Sequence, residues 1–333
     1  MGEDAYEIAV GFLATLYAGR IIVLPANLQL GHIAELSQKF DGILAHAQEA
    51  PAATPMLEIF EQEAGAEKSP LHSFDAREAK IIFHTSGTTA APVAIHKSLS
   101  CLEAELCAFA EVFEQPVPCT VLATVPAHHI YGLLFRVLWP LVAGRSFVAE
   151  LIRYPEELER ALAKAENHLL ISSPAFLGRA IKVLDIDALK KSFTTVFSSG
   201  GPLAPAVAAA YNAKLNAPII EVYGSTETGG IGYRSVLDPA TPPPLTPLPG
   251  VTLAVNTESD ILSVNSPFLD QGQAFQTGDR ARLLPDGRFE LLGRADRIVK
   301  IEERRISLIE VEQKLATETE VAAVHVEMLE GNT

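Results

Sequence analysis

Cysteine and positive charge are scarce in this chain. The three cysteines, Cys101, Cys107 and Cys119, are too few and too unevenly spaced for a disulfide framework or a zinc site. Each is read as a small buried hydrophobe, and a reducing, cytoplasmic setting is expected. Lysine and arginine total 26 against 41 aspartates and glutamates, a net charge of −15. Phosphate backbones need clustered cations, and anionic membranes attract basic segments. Neither nucleic acid nor a membrane is therefore expected as a partner. A nucleotide remains admissible where amides, a metal or a few basic groups offset the charge. Long apolar runs are also missing. The nearest, "YEIAVGFLATLYAG", follows Glu3 and Asp4, where a signal peptide carries positive charge, and it is too short to span a bilayer. It is read as a buried helix. No internal repeat is present.

What is present is globular: 333 residues, 48% hydrophobic, enough to bury a large core. Strand-like runs "KIIFHT", "TVLATVP", "HLLISS", "TTVFSSG" and "APIIEVYG" alternate with helical patterns. In "SLSCLEAELCAFAEVF", Leu102, Leu106, Phe109 and Phe113 recur at helical spacing, and Ser100 with Glu103 has the form of a capping box. Pro155 opens another helix with acids behind it. This alternation predicts an α/β fold: mostly parallel sheet covered by helices, with ligands at the carboxyl ends of the strands. The rhythm changes near "DPATPPPLTPLPG". Short strands and a Pro-Asp-Gly hairpin turn follow, which predicts a β-rich unit. Residues 1–238 form the α/β part, 239–292 the β-rich part and 293–333 a closing segment.

Four clusters can carry chemistry. Thr85, Ser86, Gly87, Thr88 and Thr89 lie between a strand and a helix-like run, where hydroxyls and amides can donate to phosphate. A Ser/Thr turn without a ligand is the competing reading. No Gly-Lys-Ser/Thr follows, so this is not a Walker loop. Gly200 and Gly201 permit close approach of a flat ligand, or simply make a tight turn. In "EVYGSTETGG", Tyr223 can stack on a ring, Thr226 can bond a phosphate and Glu227 can hold magnesium; a polar turn is the alternative. Asp279 and Arg294 can hold ribose hydroxyls or an anionic phosphate, against a surface salt-bridge network.

Taken in this order, "HTSGTTAAP", "PAHHIYG", "VYGSTE", "TGD" and "GRADRIVK" resemble the motifs of the adenylate-forming superfamily, which includes acyl- and aryl-CoA synthetases, peptide-synthetase adenylation domains and luciferases. The resemblance runs from about Tyr6 to the C-terminus. "HHIYGLLFRVLWPLVAGR" and "IHKSLSCLEAEL" are similar to ligases associated with aryl-polyene pigment clusters. The resemblance implies ATP-dependent activation of a small carboxylic acid to an acyl-adenylate, then transfer to a thiol of CoA or of an acyl carrier protein's phosphopantetheine. It implies that Thr85, Ser86, Gly87, Thr88, Thr89, Thr226 and Glu227 hold ATP phosphates and Mg2+, with Ser225 and Gly224 in the same motif. Gly200, Gly201 and Tyr223 bound the adenine, Glu221 is a further nucleotide-binding residue, Asp279 and Arg294 hold the ribose of ATP or AMP, and His129 lies near the acyl group. Asp296 is the hinge before a small C-terminal lid domain, of which residues 293–333 are the start.

The chain departs from the family pattern at Ala90, where glycine is usual, at Val93, where the loop lysine is expected, and at Glu303 after the hinge. Lys97 is the candidate to replace the missing charge. The chain is expected to be shorter than the family at both ends, as a fragment, a trimmed form or a degenerate homologue, and none of its residues takes the part of the C-terminal adenylation lysine. The alternative reading is a nucleotide- or acyl-binding protein without catalysis. Val93→Lys is expected to tighten ATP binding by about 1 kcal/mol, read by titration calorimetry. No gain would mean that Lys97 or the metal already supplies the charge.

Overall fold

A computed structural model describes residues 3–37, 39–44, 56–57, 73–85, 93–113, 118–162, 167–185, 192–215, 218–236, 242–270, 273–295, 298–301, 304–315, 324 and 326. Helix α1 (Ala5–Tyr17) starts at Asp4, whose carboxylate accepts from the amides of Tyr6 and Glu7, satisfying two orphan donors of the first turn. Ala5, Ala9, Phe12 and Leu16 face the core, while Tyr6 and Leu13 face solvent, so α1 is amphipathic and not wholly buried. Strand β1 (Ile22–Leu24) and helix α2 (Leu30–Ser37) follow, then β2 (Ile43–Leu44) and β3 (Met56–Leu57), which pair with each other. β1 joins β4 (Lys80–Thr85) in parallel, and β4 joins β5 (Val93–Ser98) antiparallel.

β5 departs from expectation. Thr85 pairs with Val93, so the hydroxyl loop closes a hairpin and does not open a helix. Along "VAIHKS" burial rises towards the C-terminal end: Val93, Ala94 and His96 are exposed, while Lys97 and Ser98 are buried. Helix α3 (Leu99–Val112) begins only after it. The capping box is likewise corrected. Ser98 is the N-cap, and its hydroxyl meets Ser100 Oγ at 2.8 Å rather than a helix amide. Cys101 and Cys119 are buried as expected, but Cys107 is exposed.

The central sheet has seven strands. They are β6 (Thr120–Ala123), β7 (Ser146–Phe147), β8 (His168–Ser172), β9 (Phe193–Ser198), β10 (Ile219–Ser225), β11 (Gly229–Ser235) and β12 (Thr246–Pro247), in the order β12-β11-β10-β9-β8-β6-β7. From β7 to β10 the pairings are parallel; β11 and β12 add antiparallel strands. Alternate residues of β8 enter different cores. Leu169 and Ile171 join α1, α3 and β6 residues in one cluster. Leu170 joins α6 (Pro155–Leu162), α7 (Pro174–Val183) and α8 (Pro205–Lys214) in the other. Both faces are covered, as parallel sheet requires.

On the first face, α4 (Ile130–Gly132) runs into a π-helix over Leu133–Leu138 and then α5 (Trp139–Val142). Here Phe109, Phe113, Phe135, Trp139 and Phe197 pack together, with Phe109 and Phe135 rings 4.4 Å apart and Phe113 and Phe197 5.1 Å apart. The β-rich part is a four-stranded antiparallel sheet of β13 (Thr252–Val255), β14 (Ile261–Asn265), β15 (Phe275–Leu283) and β16 (Phe289–Arg294), with its own small core around Leu262, Val264 and Phe289. The Pro-Asp-Gly turn joins β15 to β16 as predicted. A last hairpin, β17 (Ile298–Ile301) with β18 (Arg304–Ser307), leads to α9 (Leu308–Leu315).

Gly132 shows how tightly the His129 segment is folded. A Cβ there would lie 2.0 Å from the Pro126 carbonyl oxygen, a backbone atom that cannot swing aside. Gly31 has open space around it. Gly132→Ala is expected to cost about 3 kcal/mol or to prevent folding, whereas Gly31→Ala is neutral or stabilising by up to about 1 kcal/mol, both read by urea unfolding.

Candidate nucleotide site

Strands β6, β8, β9 and β10 end at one edge of the sheet, and all four continue into polar or glycine-containing segments. Thr124 Oγ1 lies 2.9 Å from Ser172 Oγ. The Ser172 carbonyl accepts from Tyr131 Oη at 3.2 Å and from the Ser199 amide at 3.4 Å. Ser199 Oγ donates in turn to the Val222 carbonyl at 2.8 Å. These bonds tie the His129 segment, the Gly200–Gly201 loop and the Tyr223 strand into one rim. Gly200 is exposed and has φ 85°, a conformation that favours glycine.

Tyr223 extends this rim to the β-rich unit. Its hydroxyl donates to Asp279 Oδ2 at 2.6 Å across 56 residues of sequence. Burial, and then the bond to Asp279, push the phenol well above its ordinary pKa, so it stays a donor. Asp279 faces Arg294 in the β15–β16 register, and a Cβ on Gly278 would sit 2.8 Å from an Arg294 nitrogen. The ring of Tyr223 packs 6.0 Å from Phe289.

The turn between β10 and β11 carries Thr226 and Glu227, both half-buried. Ser225 Oγ accepts from the Thr228 amide at 3.2 Å, and Thr228 Oγ1 accepts from the Ser225 amide at 3.1 Å. Ser225 thus shapes the turn. Gly224 sits at a register shift, where a Cβ would lie 2.3 Å from the Gly229 carbonyl oxygen. His129 is exposed at the start of α4, its ring 4.3 Å from that of buried His128. Burial, and to a lesser degree His129 and Arg136, hold His128 down at about 4.

Two expected ligands have other work. Glu221 Oε1 accepts from the Leu203 amide at 2.8 Å, and Oε2 pairs with Arg234 Nε at 2.6 Å. Glu221 therefore braces the Gly200–Gly201 loop from inside the sheet, with both carboxylate oxygens engaged by the protein. Lys97 is turned into the protein interior. Its ammonium is buried and donates to the Glu227 carbonyl at 3.1 Å and the Phe268 carbonyl at 2.7 Å. A β-strand turns alternate residues inward, and Lys97 is on the inward set. Thr85 ends β4 at the mouth of the hairpin. Ser86, Gly87, Thr88, Thr89, Ala90, Asp296 and Glu303 lie outside the described residues.

A family model for AMP-binding enzymes matches residues 1–273. The chain belongs to the AMP-binding enzyme family. The 4-coumarate–CoA ligase of Rhodobacter capsulatus is 32% identical over 254 residues, covering 74% of this chain and 60% of that protein. The 4-coumarate–CoA ligase of Cereibacter sphaeroides is 29% identical over 238 residues, covering 71% and 53%. The chain therefore spans little more than half the length of these curated relatives. Two solved structures share the fold. An ATP-bound MatB chimera has a TM-score of 0.82 at 19% identity, covering 95% of this chain and 72% of its own. An O-succinylbenzoate coenzyme A synthetase (MenE) from Bacillus subtilis, in complex with ATP and magnesium ion, has a TM-score of 0.79 at 18% identity, covering 95% and 73%. In this AMP-binding fold no described helix is long and apolar enough to cross a membrane.

Two residues escaped sequence reasoning. Arg234, on the antiparallel strand beside Glu221, carried no signal. Glu105 did: it lies among Leu102, Leu106 and Phe109 on the core-facing stripe of α3 and is buried, an unusual place for a carboxylate. His128 yields a pH prediction. Its folded pKa lies below the unfolded value near 6.5, so the unfolded state takes up the proton first. Stability is fully present above about pH 6.5 and falls as pH drops towards about 4, by on the order of 2–3 kcal/mol. His128→Gln should flatten that part of the curve in chemical unfolding between pH 7 and 4.

Proposed function

We propose that this chain activates a small carboxylic acid with ATP, forming an acyl-adenylate, and that the acyl group then passes to a thiol. The observation that carries the reading is the Tyr223–Asp279 bond. It joins two distant motifs at the rim formed by the Gly200–Gly201 and His129 segments. In the first half-reaction a carboxylate oxygen bonds to the α-phosphorus and pyrophosphate leaves. In the second a thiolate sulfur bonds to the acyl carbon and AMP leaves. Positioning and charge stabilisation dominate such chemistry.

Asp279 accepts the ribose hydroxyls in this reading, with Arg294 beside it. Gly200 and Gly201 let the adenine lie against backbone, and Tyr223 bounds it. Thr85, Thr226 and the 86–89 loop receive the phosphates, and His129 flanks the acid. Glu227 is the residue that fits magnesium. No group of three ligand-type side chains is gathered among the described residues, and magnesium is commonly held by one or two carboxylates together with substrate phosphates. Bound there, magnesium would neutralise triphosphate charge. The thiol is that of CoA or of a carrier protein's phosphopantetheine. Residues 1–238 and 239–292 form the adenylation unit, residues 293–333 begin the lid with Asp296 as hinge, and the setting is the reducing cytoplasm. A second reading, nucleotide binding without adenylation, is favoured by one observation: Lys97, the candidate for the missing loop charge, is buried on backbone carbonyls.

Pyrophosphate exchange into ATP, with Mg2+ and a panel of short and aryl acids, separates the two. Exchange that depends on one class of acid is expected. AMP binding without exchange for any acid would favour the second reading. Asp279→Ala is expected to weaken AMP about tenfold; unchanged affinity would sink the ribose assignment.

A further inference from the structure

Two ionisable side chains in contact with the Ser225–Gly230 turn are almost wholly buried, Lys97 and Glu105, at 1% and 2% exposure. Neither has a part in the chemistry above. Burying opposite charges costs several kcal/mol each, and apolar side chains of similar volume often stabilise as well. Stability alone therefore gives little reason for them.

Their contacts suggest another role. Both hold backbone of the Ser225–Gly230 turn, Lys97 at Glu227 and Glu105 at Gly230. The Lys97 ammonium donates to the Glu227 carbonyl at 3.1 Å. The Glu105 carboxylate accepts from the Gly230 amide at 2.6 Å. Each group suits its partner: the Lys97 nitrogen donates to a carbonyl, and the Glu105 carboxyl oxygen accepts from an amide, while burial, opposed by the Gly230 amide and Lys97, pushes Glu105 up to about 7. The fit on Glu105 is close. A Cβ on Gly229 would lie 2.5 Å from Glu105 Oε2, and one on Gly230 would lie 3.1 Å from Oε1. Gly229 also has φ 69°. This glycine pair lets the backbone descend onto the carboxylate. Lys97 also donates to the Phe268 carbonyl at 2.7 Å, linking the turn to the loop ahead of β15. That strand carries Asp279.

We infer that Lys97 and Glu105 are positioning residues: a buried donor–acceptor clamp that sets the height of the Thr226–Glu227 turn relative to the Tyr223–Asp279 contact. The inference rests on the ATP reading above. The clamp acts on Thr226 and Glu227, assigned above to the phosphates and the metal, and not on the groups assigned to the ribose. Its loss should separate Mg·ATP from AMP.

Lys97→Met keeps the apolar stem and removes the ammonium. It is expected to weaken Mg·ATP binding about tenfold to a hundredfold, while AMP affinity stays within about twofold. Glu105→Leu should reproduce that loss. Glu105→Gln, which keeps an acceptor for the Gly230 amide, should restore most of the affinity. Equal loss of both nucleotides at an unchanged melting temperature, no loss of either, or a failure of Glu105→Gln to outperform Glu105→Leu would overturn the inference. If Lys97→Met does not fold, the two Glu105 variants carry the same comparison. Hydrogen exchange on the unliganded protein reads the clamp without any nucleotide. Amides 225–230 should lose protection in Lys97→Met and Glu105→Leu, and unchanged protection would overturn the clamp. Absence of nucleotide binding by the wild type would instead sink the ATP reading, a result the exchange data keep separate.

Discussion

The central sheet is covered on both faces, and polar chemistry has to be placed elsewhere. Val121, Leu169, Ile171 and Phe197 press into one core, and Leu122, Leu170 and Val196 into the other. Every backbone group along these strands is committed to a neighbouring strand or excluded from water. The strand ends are where backbone and hydroxyl groups become free to meet a ligand. At that edge Thr124, Ser172, Ser199 and Tyr131 bond one another through the hydrogen bonds already described, so the rim is fixed before any ligand arrives. The β-rich unit closes it through Tyr223 and Asp279.

Beneath this rim the protein spends several buried polar groups on holding backbone. Glu221, with Arg234, supports the loop at Leu203. Lys97 supports the carbonyls of Glu227 and Phe268, and Glu105 supports the amide of Gly230. Arg136, wholly buried in the π-helix, donates to the Ala149 carbonyl at 2.6 Å and, with its pKa lowered to about 10 by burial, still carries its charge at neutral pH. An unsatisfied polar group in this environment costs about 1–3 kcal/mol. A segment held by such a bond is therefore confined to one arrangement more sharply than apolar contact alone would confine it. Glu221, Lys97 and Glu105 act in this way on segments at the rim or next to it, and Arg136 on the segment after β7.

Much of this was readable in one dimension. β8 carries the apolar run Leu169–Ile171 and ends in serine, a pattern typical of strands buried on both faces. The Pro-Asp-Gly turn marks its hairpin because its residue types suit a tight turn. The order of the motifs pointed to the family before any strand was placed. Three features did not show. β5 reads locally as the lead-in to a helix, and only pairing with β4 makes it a strand. Ser100 and Glu103 have the spacing of a capping box, yet Leu99 and Ser100 are already helical, so the cap falls at Ser98. Glu221 and Lys97 look like ligands because their types suit phosphate and nucleotide chemistry. The strand's two-residue period turns them inward instead.

The sequence by itself determined the class of fold, the order of the motifs and the kinds of group present at the carboxyl edge, because strand period, helix period and turn chemistry are local properties. Tertiary structure alone decided which of those groups face the site and which hold it up. Tyr223 meets Asp279 across 56 residues, and Lys97 meets Glu227 across 130. Contacts of that reach depend on how sheets and helices pack, and no local pattern encodes the side to which a given polar residue will turn.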